Sequence, residues 1–260
     1  MLNFKENVSL AEYTTFKIGG LAKYFATINN ESDLIKAVKF AKDKCLPYFI
    51  LGGGSNLLVN DKGFKGLIIK IQNKKYQIKG TKIITDAGVK LSALVNLSVK
   101  NNLTGLEWAS GIPGTIGGAV KVNASAYNQN IKKFVKSIRK INRIIISVEL
   151  KLKKGDRKVS SKLIKEYALK RKKTQPLEYA SAGCIFKNIP KQGAGRLIDQ
   201  AGLKGIKSGQ AMISNKHANF IINLGGAKSE DVIKLIKLIK KTIKKKYNIN
   251  LEEEINYLGF

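Results

Sequence analysis

The run Pro47-Tyr-Phe-Ile-Leu51 leads straight into Gly52-Gly-Gly-Ser-Asn-Leu-Leu58, and a second glycine-rich stretch, GIPGTIGGAV, spans Gly111–Val120. The first reads as a short apolar strand entering a turn. Glycine reaches positive φ at no steric cost and lets backbone come close to a ligand or to another segment. Successive N–H groups in such turns form concavities that hold anions. GGGSNLL adds Ser55 and Asn56 as side-chain donors and two leucines, Leu57 and Leu58, as a lid. GIPGTIGGAV adds Pro113, which stiffens the turn, and Thr115 as a donor. One such turn alone is an ordinary tight bend, whereas two of them, each after a strand, point to a pyrophosphate site. Neither fits G-x-G-x-x-G in a strand-turn-helix unit or G-x-x-x-x-G-K-[ST], which sets aside the ordinary Rossmann and P-loop readings.

Working outward, strand and helix patterns alternate. Lys23–Ile28, Leu67–Ile71, Lys82–Ala87, Val135–Ile141 and Ile144–Leu152 read as strands, and Lys153–Asp156 as a polar turn. Asn30 is placed to cap a helix over Glu31–Lys44 that carries Leu34, Val38 and Ala41 on one face. Leu91–Asn101 reads as a short helix, and Ser161–Lys173 as one that stops before Pro176. A boundary near Gln175 divides the chain into 1–175, with parts of about 1–72 and 73–175, and a third segment, 176–260. That segment opens with a turn and strand in SAGCIFKN (Ser181–Asn188), followed by a short helix over Arg196–Ala201 and a strand at Asn219–Asn223. Ser229 is expected to cap a helix with Glu230 and Asp231 in its first turn; Val232, Ile236, Ile239 and Ile243 share one side and lysines crowd its C-terminal end. A basic amphipathic helix can bind membranes, but a solvated face on a packed helix is the simpler reading.

Composition narrows the function classes. The 260 residues are 43% hydrophobic, enough for a real core and too apolar for disorder. Two cysteines cannot make a disulfide framework, so a reducing, cytoplasmic setting is expected. No apolar run nears the roughly 20 residues that span a bilayer, and the first residues, with Glu6 and Glu12, lack the apolar centre of a signal peptide. Net charge is +30, from 48 basic and 18 acidic residues. Only five of the basic residues are arginines, the side chain favoured for reading base edges, and the lysines are spread along the chain. No nucleic-acid partner is expected. Anionic small ligands would be attracted, more strongly at low salt.

The ordered set TTFKIGGLA (Thr14–Ala22), GGGSNLL, GLEWASGIPGTIGGAVKVNASAY (Gly105–Tyr127), TQPLEY (Thr174–Tyr179), SAGCIFKN, GAGRLIDQAGLKG (Gly193–Gly205), ISNKHANFIIN (Ile213–Asn223) and LEEEINYLG (Leu251–Gly259) resembles the bacterial UDP-N-acetylenolpyruvoylglucosamine reductase family over nearly the whole chain. The resemblance implies an α+β fold: an FAD-binding region of the vanillyl-alcohol-oxidase type, in two α/β subdomains, plus a C-terminal substrate domain. It implies non-covalent FAD, NADPH as co-substrate, a UDP-sugar substrate, no metal, no membrane and a monomer. Gly52, Gly53, Gly54, Ser55, Asn56 and Leu57, with Gly111, Gly114, Thr115, Gly117 and Gly118, would cradle the FAD diphosphate and approach its ring, with Asn123 and Ala124 beside them. Lys187 and Asn188 match positions near the substrate diphosphate. Cys184 stands where the family's proton donor is usually serine, and a thiol, with a reference pKa near 8.5, can give a proton to a strongly basic carbanion. Glu254 matches a glutamate that stabilises the developing enediolate. Taken bare, Cys184 is a small apolar residue, Glu252–Glu254 a solvated acidic run, and His217, the chain's one histidine, a packing residue.

The pattern departs in the middle. Ala126–Asn142 matches the family's first strand there, and Arg143–Asp156 already matches the strand that follows its Tyr-Arg-x-Ser segment, so that segment is missing. Its arginine binds the substrate carboxylate; Arg139 and Arg143 lie in no such context and receive no role. The shortened middle leaves a second possibility, a flavin-binding relic or a flavoprotein with altered activity. The chain also lacks a tyrosine-bearing lid insertion.

Overall fold

The computed structural model describes residues 2–189 and 192–260. In chain order it contains β1 (Phe4–Ser9), β2 (Leu21–Ile28), α1 (Glu31–Asp43), β3 (Tyr48–Leu51), β4 (Leu57–Val59), β5 (Phe64–Ile71), β6 (Tyr76–Lys79), β7 (Lys82–Asp86), α2 (Leu91–Lys100), β8 (Leu103–Thr104) and α3 (Ile116–Val122). There follow β9 (Ser125–Ala126), β10 (Gln129–Asn130), β11 (Val135–Ile141), β12 (Ile144–Lys151), β13 (Lys153–Lys154), α4 (Arg157–Thr174), β14 (Ala180–Cys184), α5 (Ala194–Gln200), β15 (Lys207–Ser208), β16 (Ala211–Ile213), β17 (Phe220–Asn223), α6 (Ser229–Tyr247) and β18 (Asn256–Leu258). The chain forms two compact units, each discontinuous in sequence: residues 1–5, 25–53 and 67–171 make the first, and residues 6–24, 54–66 and 172–260 the second.

β3 runs parallel to β5, with Leu51 opposite Lys70, in a sheet of order β1-β2-β5-β3. Asn30 caps α1 by accepting from the Asp33 N–H at 2.9 Å, as its position predicts. A second, antiparallel sheet has the order β11-β12-β7-β6. Its inward side chains, Ile83, Val148 and Leu150, pack with Leu91, Leu94 and Val95 of α2, Ile116 of α3 and Trp108. The hairpin β11–β12 closes through Asn142 and Arg143 alone, at φ +48° and +66°. Both central residues with positive φ define the tight turn whose twist matches flanking strands. The segment expected to be missing is thus replaced by the shortest connection a hairpin allows. Arg139 projects from β11 to an exposed ion pair with Glu31.

The second unit is built on an antiparallel sheet of order β14-β17-β16-β15. Helix α6 buries Val232, Leu235, Ile236, Ile239 and Ile243 in the same core as Ile185, Phe186, Ile213 and Ile221. Phe16, Ile18 and Leu58, far away in sequence, complete that core.

Five sequence expectations change. Leu57 and Leu58 are no lid: they are 4% and 0% exposed, in β4, which pairs in parallel with β18. The second half of GIPGTIGGAV is the helix α3, capped by Thr115, whose Oγ1 accepts from the Gly118 N–H at 3.4 Å instead of offering itself as a donor. Ser229 does not cap α6. The cap position is Lys228, whose N–H is bonded by Asp231, while Ser229 N–H and Oγ bind Asp61 Oδ2 at 2.7 and 2.8 Å. Lys153–Lys154 is a strand paired with Leu103–Thr104, and α4 begins earlier than expected because Asp156 Oδ1 receives the N–H groups of Lys158 and Val159.

An arginine in the left-handed region is strained by roughly 1 kcal/mol relative to glycine. Arg143→Gly is therefore expected to raise the urea midpoint by an amount worth about 1 kcal/mol with an unchanged m-value; a lowered midpoint would contradict this reading of the turn.

Candidate functional site

Each unit carries part of the predicted constellation. In the first unit the two glycine turns interlock. A Cβ on Gly53 would lie 2.4 Å from Gly114 Cα, and one on Gly52 would lie 2.8 Å from Thr115 Oγ1. Glycine at these positions is needed for turn-on-turn packing, a use distinct from ligand approach. The second turn is stitched to the start of α2: Leu91 N–H donates to Gly114 O at 3.0 Å, Ile116 N–H to Val89 O at 2.9 Å, and Lys90 bridges Thr115. Gly111, Gly117 and Gly118 lie in the same turn and first helical turn. Asn123, at φ +50°, closes α3, and its Oδ1 accepts from Lys132 N–H at 3.2 Å; the Ala124 N–H donates to Ala119 O at 2.8 Å.

Before the second turn stands a residue the sequence reading passed over. Glu107 is buried, and its carboxylate accepts from Thr104 Oγ1 at 2.7 Å, Ser160 Oγ at 2.5 Å and Gly105 N–H at 2.8 Å. Burial works to raise its pKa, but these bonds prevail and hold it below the usual carboxylate range. Lys70 is half-buried and donates to the carbonyl of Gly52. Burial, and then the neighbouring charge of Lys90, push its pKa down.

In the second unit, the other half of the first turn meets the two expected catalytic side chains' own strands. Thr15 is the junction. Its N–H donates to Gly54 O at 3.1 Å, its Oγ1 to Ser181 O at 2.7 Å, and its carbonyl accepts from Ser181 N–H at 3.1 Å. Asn56 Nδ2 donates to Glu254 O at 3.0 Å, and Asn256 N–H to Asn56 O at 3.0 Å. The Glu254 N–H in turn donates to Ile185 O at 2.8 Å, next to Cys184. Cys184 and Glu254, 70 residues apart in sequence, thus lie on adjoining segments with Gly54–Asn56 tied to both.

Cys184 ends β14 after an irregularity between Ser181 and Cys184, where Gly183 takes φ +79°. Such a bulge re-aims the side chain that follows it. Beyond it, Asn219 is 1% exposed and grips Phe186 from both sides: Oδ1 accepts from its N–H at 2.9 Å, and Nδ2 donates to its carbonyl at 2.8 Å. Glu254 is open to solvent, yet protein crowded around it desolvates the carboxyl and raises its pKa, with Lys187 pulling the other way. Lys187 is exposed and paired with Glu252 at 3.0 Å.

Asn188 borders a recess of about 300 Å³ with Gly193, Arg196, Lys204, Lys216 and His217. Lys204 is paired with Asp199 at 2.6 Å and Lys216 with Glu178 at 3.6 Å. His217 does pack, its ring against Phe220 with centroids 4.9 Å apart, and burial lowers its pKa, so it is a neutral ring on the wall of a cationic recess. Its Nδ1 accepts from Asn219 N–H at 3.3 Å. Basic residues in GAGRLIDQAGLKG and ISNKHANF were the available signal for this recess. A larger one, about 400 Å³ beside Phe25, Asp33 and Lys36, includes none of the expected residues. Among the described residues no cluster of three metal-ligating side chains occurs, and no helix is long and apolar enough to cross a membrane.

Comparison with known proteins accounts for this arrangement. Residues 175–258 match the model of the UDP-N-acetylenolpyruvoylglucosamine reductase C-terminal domain, and residues 22–144 match an FAD-binding domain. UDP-N-acetylenolpyruvoylglucosamine reductases from Clostridium novyi and Caldicellulosiruptor bescii are 38% and 40% identical, covering 98% and 99% of this chain and 92% and 91% of theirs. The crystal structure of the reductase from Thermus caldophilus superposes with a TM-score of 0.87 at 33% identity, over 99% of this chain and all of that one. The chain belongs to the UDP-N-acetylenolpyruvoylglucosamine reductase family. Its fold is the family's α+β combination of an FAD-binding region and a C-terminal domain. The C. novyi match runs over 283 aligned positions against 260 residues here, so that relative carries at least 23 residues, the difference, which this family member lacks.

Asn219→Ala would strand the buried N–H and carbonyl of Phe186. Each unmet group costs roughly 1–3 kcal/mol, so a loss of about 3 kcal/mol in unfolding free energy is expected by urea denaturation, and a loss under about 1 kcal/mol would show that Asn219 does not hold this strand.

Proposed function

We propose that this protein reduces the enolpyruvyl ether of UDP-N-acetylglucosamine to UDP-N-acetylmuramate, with NADPH as the electron source, as a monomeric step of peptidoglycan precursor synthesis in the cytoplasm. The observation that carries the reading is the adjoining of Cys184 and Glu254 on segments tied to the first glycine turn. FAD, held without a covalent link, would supply the hydride relay between NADPH and the enolpyruvyl methylene carbon. The interlocked turns and the half-buried cation Lys70 in the first unit fit a group that carries a diphosphate. Gly52–Leu57, Gly111, Gly114, Thr115, Gly117, Gly118, Asn123 and Ala124 are the residues proposed to hold it. The exposed thiol of Cys45 supports a reducing compartment.

Hydride addition to the methylene carbon leaves negative charge spread into the substrate carboxylate. Such charge must be stabilised where it develops, and a proton must reach the neighbouring carbon. Cys184 is proposed as the donor of that proton. Glu254 is proposed to hydrogen-bond the enediolate, a role that requires it protonated or sharing a proton. Its raised pKa favours that form. Asn188, with Arg196, Lys204 and Lys216 around the cationic recess, would take the UDP diphosphate, and Lys187, the exposed residue before Asn188, is proposed to add its charge.

The two-residue β11–β12 turn favours a second reading, a flavoprotein whose reduction of this substrate is lost with the arginine segment. Purified protein given NADPH and the enolpyruvyl substrate, followed at 340 nm, separates them. Substrate-dependent oxidation supports the first; oxidation independent of substrate supports the second. Cys184→Ala is expected to leave flavin reduction by NADPH within about twofold and to slow reoxidation by substrate at least 100-fold, with Cys184→Ser retaining activity. Equal loss in both half-reactions would assign Cys184 to structure alone.

The sign of the Glu254 shift gives a further test. Lys187 favours the ionised carboxyl, so Lys187→Met removes a stabilising charge and should move the Glu254 titration, followed by carboxyl-labelled NMR, to higher pH. A shift to lower pH, or none, would contradict this account of the carboxyl's surroundings.

A further inference from the structure

We propose that Lys70 anchors the dinucleotide: its ammonium fixes the Gly52–Gly53 peptide and supplies positive charge to a diphosphate seated on the interlocked glycine turns. The inference rests on the reading above that FAD occupies those turns. It adds a residue outside the glycine motifs.

Lys70 interrupts an apolar run. Leu67, Ile68 and Ile69 are fully buried and Ile71 nearly so, yet the residue between them is a lysine. A lysine on such a strand is costly to desolvate unless something negative answers its charge. Among the described residues it forms no ion pair with a carboxylate. Its hydrogen bond goes to a neutral group, the carbonyl of Gly52. The charge that acts on it is another cation, Lys90, whose backbone pairs with Thr115 in the second turn. Two lysine charges therefore act on one another beside the first turn, an excess of positive charge with no carboxylate among the described residues to pair Lys70. That is the electrostatic counterpart of a bound dianion.

The register explains the aim. Parallel pairing places Lys70 opposite Leu51, the last residue of β3, so its side chain reaches the first peptide past the strand end. A trans peptide is planar, with carbonyl and N–H on opposite sides. Holding the Gly52 carbonyl on the Lys70 side therefore directs the Gly53 N–H away from it. The glycine contacts with Gly114 and Thr115 prevent the turn from rotating as a whole. Lys70 thereby sets the orientation of a backbone donor and provides charge at the same turn.

The test is FAD titration of the apoprotein by flavin fluorescence, with thermal unfolding of the same apoproteins. Lys70→Met is expected to raise the FAD Kd at least tenfold while leaving the apoprotein Tm within about 3 °C, and to flatten the dependence of Kd on salt; Lys70→Arg should stay within about threefold of wild type. Lys70→Gln, which keeps a donor for the Gly52 carbonyl without the charge, should also weaken FAD and keeps the question answerable if Lys70→Met does not fold. FAD binding by Lys70→Gln equal to wild type, or loss of affinity only in step with a large fall in apoprotein Tm, overturns the proposal. A wild-type protein that takes up no FAD overturns the underlying reading instead, before any variant is compared.

Discussion

Thr15 is the point on which the second unit's site depends. Through three hydrogen bonds it joins the Gly54 peptide of the first glycine turn to the Ser181 backbone of the strand that ends in Cys184. None of these bonds uses a charged group, and two of the three involve backbone on both sides. Net stabilisation of each is small, about 1 kcal/mol. Their value is geometric. β14 shares no sheet with residues 54–56, so without Thr15 the turn and the thiol-bearing strand would be positioned through the shared core of Phe16, Leu58 and Ile185 and through the Asn56–Glu254–Ile185 bonds alone. Asn56 repeats the device on the other side, where its amide grips the Glu254 carbonyl. A turn first noticed for its glycines thus acts as the hub that brings a thiol and a carboxyl, 70 positions apart, onto adjoining segments.

Residue types in local context were readable from the sequence; pairings between distant segments were not. Asn30 as a helix cap, the strand Val135–Ile141 and the apolar face of α6 follow from periodicity and capping rules, because each depends on neighbours within a few residues. The misreadings at Leu57–Leu58 and Ser229 share one physical cause. In each case a distant segment, β18 for the leucines and Asp61 for the serine, competes for the group and wins. Distant segments also meet in the second compact unit, where residues 6–24 and 54–66 join 172–260. Among the proposed site residues, the glycines, Cys184 and Glu254 were found through motifs. Glu107, Lys70 and Asn219 were not, because nothing in a single glutamate, lysine or asparagine shows whether it faces water or a backbone group across the fold.

The acidic residues of this chain show how a strongly basic protein uses few carboxylates. With 18 acids against 48 bases, most lysines have no counter-ion in reach and must be solvated. Glu107 is removed from that competition altogether: it is buried and committed to two hydroxyls and a backbone amide before the second glycine turn. Asp61 is committed to Ser229, and Glu253 to Lys240 and Tyr257 at 2.7 Å each. These three carboxylates organise loops and strand ends. For Glu107 and Glu253 the donors that hold them also keep the pKa below the usual carboxylate range against burial.

Glu254 follows the opposite rule, and the contrast with its neighbour is instructive. Glu253 has hydrogen-bond donors in Lys240 and Tyr257, and they hold its pKa down against burial. Glu254, one residue on, is raised by the protein crowded around its carboxyl, with the charge of Lys187 opposing. Alternation along an extended segment sends successive side chains to opposite sides, so one carboxyl meets α6 and the other does not. A pair of adjacent acids with pKa values driven apart is a recurrent arrangement where one must stay charged and the other must hold a proton. The first fixes the segment through its donors; the second keeps a raised pKa. The thiol proposed as proton donor, Cys184, ends the adjoining strand, whose next residue, Ile185, accepts the Glu254 N–H at 2.8 Å.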